Sequence, residues 1–484
     1  MLTFAQFFSD RLSEIDDKYV VEAIQYQRDG SKRIRLKRAV IAAVLVIAVL
    51  GGVLIRSFTG NGGVMVPKAY AVALAEYPDM APYPSEESND WTQWNKDYNA
   101  WREDMEALGR DGYADGLDDF FAAGIRKFLV DADGENKVYS PLNVYMALAM
   151  LAELTDGNSR QQILNLLGQD NIESLRSQAN DLWCANYRDD GLVERVLASS
   201  VWLDEDIEYV RETMDTLAET YYASSYRGQM GSDGYNKALQ DWLNEQTGGL
   251  LEEQAGQIEL SPDTVLALAT TAYFQAQWSQ KFSTAQTTED VFYTETGEVT
   301  VDFMNKRYGE GYSYYWGNAF SAVYQNLEAG RMWFILPDEG IGVDDLLDGE
   351  EVMDFILAGG DWEQNRRVIL NLSVPKFDVT SQIDLTDGLK ALGVTDVFEE
   401  KVSNFTPMTT QYDEIFVSQA KHDARVVIDE EGVTATAFTV LVMENTSAAI
   451  PPEEEVEFVL DRPFLFTITG DDGLPLFVGV VNHP

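Results

Sequence analysis

The sequence predicts an α+β fold built on large antiparallel sheets. Strand-patterned and helix-patterned runs are mixed from Gly112 to the C-terminus without strict alternation, which disfavours a parallel βαβ architecture. No linker-like stretch and no internal repeat interrupts them. With 45% hydrophobic and 12% aromatic residues, the 484-residue chain can bury a large core.

Charge and rare residues narrow the chemistry. The chain holds 81 acidic against 35 basic residues, a net charge of −46. It lacks the basic stripes that a phosphate backbone requires, so nucleic acid is excluded as a partner. A soluble, self-repelling surface is expected, and the folded domain is expected to be a monomer. Cys184 is the only cysteine, and His422 and His483 are the only histidines. Neither an intrachain disulfide nor a Cys-rich or His-rich metal site is expected, and no metal or cofactor is implied. A Ser-His-Asp protease would have to use one of these two histidines. His422 lies in a strand pattern, His483 is penultimate, and no nucleophile-elbow motif accompanies Ser140 or Ser447.

In chain order, residues 1–30 form a short amphipathic segment, with Ile15, Tyr19, Val20 and Ile24 at helical spacing. The basic cluster Lys32, Arg33, Arg35, Lys37 and Arg38 follows, and then Ala39 to Ile55 carries no charge. As a helix that run spans roughly 26 Å, about the hydrocarbon thickness of a bilayer. It is expected to be an uncleaved signal-anchor. The positive-inside rule places 1–38 in the cytoplasm and the large C-terminal part outside. Residues 56–112 are expected to be an extracellular spacer. It has Gly- and Pro-rich pieces and an aromatic helical stretch carrying Trp91, Trp94, Tyr98 and Trp101, suited to packing on the domain that follows.

The domain is expected over 113–484. Helices are predicted at 117–129, at 140–154 and at 157–168. In the second, Ser140 caps and Pro141 fills the first turn; the third has a Gly stop. A fourth is predicted at 234–251. Strands are predicted at 196–206, 265–278, 319–327, 332–337, 367–377, 414–431, 457–469 and 475–482.

One stretch fits neither class. Asp429 to Glu455 starts with acidic residues and Gly432, and ends in an acidic Pro-Pro stop. Between them, Val433 to Met443 carries no charge, Pro or Gly. It alternates, with Val433, Ala435, Ala437, Thr439 and Leu441 on one face. Its boundaries are those of an exposed loop and its interior is that of a strand.

The domain resembles the serpins from about residue 113 to the C-terminus. The resemblance rests on SPLNVYMALAML (140–151), GNSRQQILNLLG, TTAYFQAQW ending at Trp278, LSVPKF (372–377), LTDGLKALGVTDVF (385–398), IFVSQAKHDARVVIDEEG (415–432), DRPFLFTI (461–468) and PLFVGVVNHP (475–484). These stretches occur in family order and spacing. The resemblance implies three β-sheets, eight or nine helices and an exposed reactive-centre loop. It also implies suicide inhibition of serine proteases. The protease attacks the loop, the cleaved loop inserts as a new strand in the central sheet, and the trapped acyl-enzyme is distorted. A non-inhibitory cell-surface binding module of the same fold is the alternative.

Carried over residue by residue, the resemblance places the loop on the unusual stretch. The hinge would be Glu430, Glu431, Gly432, Val433, Thr434, Ala435, Thr436 and Ala437, with Gly432 supplying unusual backbone angles. Loop length puts the reactive bond at Thr446–Ser447; the downstream Ile450-Pro451-Pro452 puts it at Ala448–Ala449. Either bond offers small side chains and no Lys or Arg lies in the loop, which favours elastase-like or subtilisin-like targets. Residues expected to control insertion are Ser140, Asn143, Thr270, Trp278, Lys376 and His422. Lys376 would pair with Glu430. His422 would bond a polar group on the neighbouring strand, where Thr270 replaces the family's Asn and Asn143 supplies an amide. The single-pass acidic layout hints at a bacterial source.

Overall fold

A computed structural model describes residues 70–84, 91–108, 112–130, 134–191, 193–246, 255–411, 415–418, 420–433 and 454–484. Residues 1–38, expected to be cytoplasmic, the apolar run 39–55 and both candidate reactive bonds lie outside them. So do the hinge residues Thr434, Ala435, Thr436 and Ala437. Among the described residues no helix is long and apolar enough to cross a membrane.

The elements in order are β1 (Ala71–Ala73), α1 (Trp91–Leu108), α2 (Asp118–Leu129), β2 (Lys137–Tyr139), α3 (Pro141–Leu154), α4 (Gly157–Leu166), α5 (Ile172–Asn186), β3 (Arg188–Asp189) and β4 (Glu194–Asp204). There follow α6 (Arg211–Thr220), β5 (Ala223–Gly228), α7 (Asp233–Gln246), β6 (Leu266–Gln277), β7 (Thr288–Thr294), β8 (Gly297–Trp316), β9 (Phe320–Asn326) and β10 (Arg331–Pro337). The last are α8 (Val343–Asp348), α9 (Glu350–Leu357), β11 (Asn365–Pro375), β12 (Phe377–Asp384), α10 (Thr386–Ala391), β13 (Lys421–Ile428), β14 (Gly432–Val433), β15 (Glu455–Val459), β16 (Phe464–Thr469) and β17 (Pro475–Val481).

The strands fall into three sets. One runs β1-β5-β4-β6, with β3 on β4; a second is the β12–β13 pair; the third is a nine-stranded sheet. The two-residue β14 joins the first two into one eight-stranded central sheet, ordered β1-β5-β4-β6-β14-β13-β12. The nine-stranded sheet runs β15-β11-β8-β9-β10-β16-β17-β2, with β7 on β8.

Local chemistry explains the helices that matter here. Ser140 Oγ accepts the Asn143 N–H, and Pro141 occupies the first turn of α3. With almost every face buried, α3 packs against β6 and β17. Asp118 and Asp119 open α2 and Arg126 and Lys127 close it, matching the helix dipole. Asn171 and Ser174 form a capping box on α5. Gly168, after α4, sits at φ +67°, the left-handed conformation that a helix stop requires.

Several sequence expectations shift. Ten α-helices are described, nine within 113–484 and the tenth, α1, in the stretch read as a spacer. Residues 414–431 are not one strand: only Lys421–Ile428 pairs with β12, while Val417 N–H turns aside to the Val397 carbonyl. Residues 457–469 split into β15 and β16 around Pro463, which has no N–H for a ladder. The α5 and α6 helices and the long hairpin β7–β8 were not foreseen. Within the spacer, residues 70–84 and 91–108 are held on the domain. Ala71 and Ala73 pair with Tyr226 and Ser225 of β5, and Trp101 Nε1 donates to Asp190 at 2.8 Å.

Candidate functional site

The hinge forms where β13 ends. Asp429 makes an Asx turn, its Oδ1 accepting the N–H groups of Glu431 and Gly432 at 2.8 and 3.2 Å. The chain then re-enters the sheet as β14. Val433 pairs with Ile428 of β13 on one side and Ala276 of β6 on the other, and Gly432 pairs with Gln277. Among the described residues this is the one backbone link between β6 and β13. Val433 is buried, at 2% exposure.

Gly432 is needed for space rather than for backbone angle. It is not among the positive-φ glycines, but a Cβ there would stand 2.5 Å from the Ala276 carbonyl oxygen. That corrects the expectation of unusual hinge angles: the close approach of β14 to β6 excludes a side chain.

Two lysines and an indole hold the turn. Glu430 is buried; its Oε1 accepts from Lys376 Nζ at 2.8 Å and from Thr287 Oγ1 at 2.6 Å. Burial pushes this carboxyl up, but the bonds from Lys376 and Thr287 outweigh it and leave the group below the ordinary carboxylate range. Glu431 pairs with Lys281 at 2.6 Å in a more exposed bridge. Trp278, 1% exposed, donates its Nε1–H to the Asp429 carbonyl at 2.8 Å and its backbone N–H to Glu431 O at 3.0 Å. Phe282 N–H adds a bond to Glu430 O at 3.0 Å. Lys306 fixes the loop that carries Lys281, donating to the Lys281 carbonyl at 3.0 Å, and burial lowers its pKa to about 8.

The second group of predicted residues lies at the other end of β13, roughly 20 Å away at strand rise. His422 is 4% exposed, and its Nε2 accepts the Ser140 backbone N–H at 3.0 Å. An accepting Nε2 means a neutral ring with its proton on Nδ1. Burial lowers its pKa to about 4, and Tyr139 packs edge-on at 5.4 Å. The register through β14 sets Thr270 of β6 level with His422 of β13. No hydrogen bond joining His422 to Thr270 or to Asn143 is described. The partner described for the ring is the backbone N–H at the start of α3, on Nε2. Asn143 is buried, and its backbone N–H serves the Ser140 cap. Ser381 Oγ donates to the Val138 carbonyl at 2.6 Å and ties β12 to β2 beneath the same end.

The structure therefore gathers Trp278, Lys376, Glu430, Glu431, Gly432 and Val433 at one end of β13. Ser140 and His422 meet at the other. Thr287, Lys281 and Asp429 were missed in the sequence. Lys281 carried a signal, since it follows Trp278 closely and the next residue is Phe282. Thr287 carried none.

A two-residue strand bridging β6 and β13 in the central sheet, beside a nine-stranded sheet, is the arrangement of the serpin fold. Known proteins agree. The family model described as serpin (serine protease inhibitor) matches residues 117–484, and the chain belongs to the serpin family. It is 27% identical to Serpin-ZX of Arabidopsis thaliana, covering 73% of this chain and 93% of that protein. It is likewise 27% identical to plasminogen activator inhibitor 1 of Sus scrofa, covering 76% and 91%. The native-state crystal structure of the thermophilic serpin tengpin matches with a TM-score of 0.67 at 22% identity, covering 78% of this chain and 98% of that one. Serpins are in general protease inhibitors rather than enzymes.

Proposed function

We propose that this chain is a covalent, loop-inserting inhibitor of serine proteases of the elastase or subtilisin class. It would stand outside the cell on a single-pass anchor at 39–55, with residues 1–38 in the cytoplasm. The observation that carries this reading is the seating of Gly432 and Val433 between β6 and β13. Those two residues are the first rungs of a new central strand, and the next ten continue its alternation without charge, Pro or Gly. An inserted strand of that length gains on the order of ten backbone hydrogen bonds at roughly 1 kcal/mol net each. The small residues Thr446, Ser447, Ala448 and Ala449 support the target class. The basic cluster before the apolar run supports the orientation, and the single acidic ectodomain supports a bacterial source.

The test mixes the chain with pancreatic elastase and with subtilisin. An SDS-stable complex, with cleavage at Thr446–Ser447 or Ala448–Ala449 by mass spectrometry, is expected. Cleavage without a complex, and without a gain in thermal stability on nicking, overturns inhibition and leaves the binding-module alternative. Fractionation and accessibility to added protease test the anchor: an ectodomain protected in intact cells would overturn it.

A further inference from the structure

Two arginines are buried side by side where the strap of residues 70–84 ends. Arg188 of β3 and Arg195 of β4 are register partners, 3% and 5% exposed. The strap reaches them through Tyr83, whose N–H donates to the Asp190 carbonyl at 2.8 Å. Two guanidiniums held out of water need partners for their charge and for their donors. One buried carboxylate is committed to them. Asp190 accepts from Arg188 Nε at 2.6 Å and from Trp101 Nε1 at 2.8 Å, and its other oxygen accepts the Val193 N–H at 2.9 Å. Arg195 instead spends its Nε and Nη2 on backbone, donating to the carbonyls of Asn186 and Ala185 at 3.0 and 3.3 Å at the end of α5. Among the described residues its Nη1 is buried with no hydrogen-bond partner.

The remaining donors converge on one turn, Gly470 to Gly473, which joins β16 to β17. Arg195 Nη1 lies 3.2 Å from where a Gly470 Cβ would stand. Arg188 Nη1 lies 4.0 Å from Asp471 Oδ2, beyond hydrogen-bond reach, and the Asp471 side chain is 60% exposed and free to turn to solvent. Glycine keeps the notch open, since a Cβ at 470 would also stand 2.6 Å from Asp472 Oδ1. That oxygen accepts the Leu474 N–H at 2.9 Å, and burial pushes the Asp472 carboxyl up, which weakens its repulsion of a second anion. Burial, and Arg188 beside it, lower Arg195 to about 10 against the pull of Asp471 and Asp190, so it stays charged at neutral pH. Two guanidinium forks facing one open notch match the several oxygens of a tetrahedral anion.

We propose that Arg188 and Arg195 form a binding site for a small free oxyanion of the sulfate or phosphate class, seated at Gly470 with Asp471 turned outward. The ion accepts from Arg195 Nη1 and Arg188 Nη1 and neutralises the buried pair. It fastens the 470–473 turn to β4 and, through Arg188 and Asp190, to Trp101 of α1. Both donors belong to side chains that are almost wholly buried, so a free ion reaches them and an ester on a larger molecule does not. The site needs neither a protease nor a cleaved loop, so failure of complex formation with elastase or subtilisin leaves it standing.

The experiment titrates the full chain with inorganic sulfate and with inorganic phosphate, chloride holding the ionic strength constant, and reads calorimetric heat and the unfolding midpoint. One saturable site is expected, and at about tenfold excess over the dissociation constant the midpoint should rise by about 1–3 °C. A rise that never saturates is the general exclusion of these ions from protein surface and overturns the site. Asp471→Ala removes an exposed competing carboxylate and should tighten binding by up to about fivefold; unchanged or weaker affinity overturns the seat at the turn. Arg195→Met removes the spare donor and should abolish the saturable heat, and binding at the original affinity overturns Arg195 as a ligand. Should that variant lose its cooperative melt, Gly470→Ala puts a methyl group into the notch, where the nearest atom is the movable end of Asp472. It too should abolish binding, and undiminished affinity overturns the seat. Methyl phosphate binding as tightly as inorganic phosphate overturns the assignment to a free ion.

Discussion

The central sheet has two weak lines, and the chain secures them by different chemistry. At the outer line, β5 is covered by β1, and the cover is held by Tyr77 against Trp183 and by Trp101 on Asp190. At the inner line, β6 and β13 are bridged by Gly432 and Val433, and that bridge is held by Lys376, Lys281, Thr287 and Trp278 around two carboxylates. The Tyr77–Trp183 packing responds little to salt or to protons, and the Trp101 bond ends on a buried carboxylate already paired with Arg188. Ion pairs and a buried neutral imidazole respond to both. On the proposed function the inner line is the one that opens, and its ion pairs make it the more sensitive to charge.

The harshest way to break the inner line is to charge it. Val433→Glu places a carboxylate at a site 2% exposed, against Ile428 and Ala276. An uncompensated buried charge costs roughly 3–5 kcal/mol. The native protein should lose about that much in urea denaturation. On the proposed function, protease should cleave the loop without forming the SDS-stable complex. An unchanged yield of complex would show that the first rung of the inserted strand does not matter. The outer line should be untouched, with β5 amides as protected as before.

Acid should sharpen the contrast. The His422 ring titrates near 6.5 when unfolded and at about 4 when buried. A depressed histidine is neutral in the fold while the unfolded chain takes up a proton. Its contribution is therefore present above pH 6.5 and lost as pH falls towards 4, by about 3 kcal/mol in all. Glu430 adds to this below its unfolded pKa of 4.5, because its folded value is lowered and its stabilisation disappears on protonation. Urea midpoints between pH 7.5 and 4 should fall steeply, and His422→Gln should flatten the slope from 6.5 to 4. An equally steep slope in the variant would place the acid sensitivity elsewhere.

What the sequence made legible follows from the range of the interactions. Helix α3 was readable because its signals are local, with Ser140 and Pro141 at its start and apolar residues through its length. Of the alternating stretch, Gly432 and Val433 are described, and their strand pairing agrees with a pattern that lies in one run. The hinge pair Lys376–Glu430 came through the family resemblance, since the two residues lie on different strands and nothing in their spacing joins them. Thr287 was invisible for the same reason, contacting Glu430 across 143 positions. The Ser140 N–H on His422 was not foreseen because a backbone N–H carries no sequence label. The strap was read only as part of a spacer because Pro-rich composition reports local stiffness and not the edge on which Tyr77 lands.

Lys376→Ala should show a smaller effect. It leaves Glu430 buried with Thr287 alone, and the loss of one charged bond to a buried acceptor is worth roughly 1–2 kcal/mol after allowing for the partial exposure of the lysine. The unfolding midpoint should drop accordingly. Lys376→Ala should also raise Glu430 towards its ordinary value, so that the variant's acid transition moves upward in pH. A drop without that movement would mean that Lys376 acts by packing alone.

The finest separation comes from Lys281 and Glu431. Their bridge is short at 2.6 Å, but the side chains are 22% and 44% exposed, so solvent screens the pair and less than about 1 kcal/mol is expected. A double-mutant cycle with Lys281→Gln and Glu431→Gln measures the coupling directly. At 0.05 M salt it should be resolvable; at 1 M, where the Debye length is about 3 Å, it should fall towards zero. Run in parallel, a cycle on Tyr77 and Trp183 should give a coupling that salt leaves unchanged. Equal salt dependence of the two cycles would erase the distinction between the lines, because it would show the seam to be held by packing as the edge is.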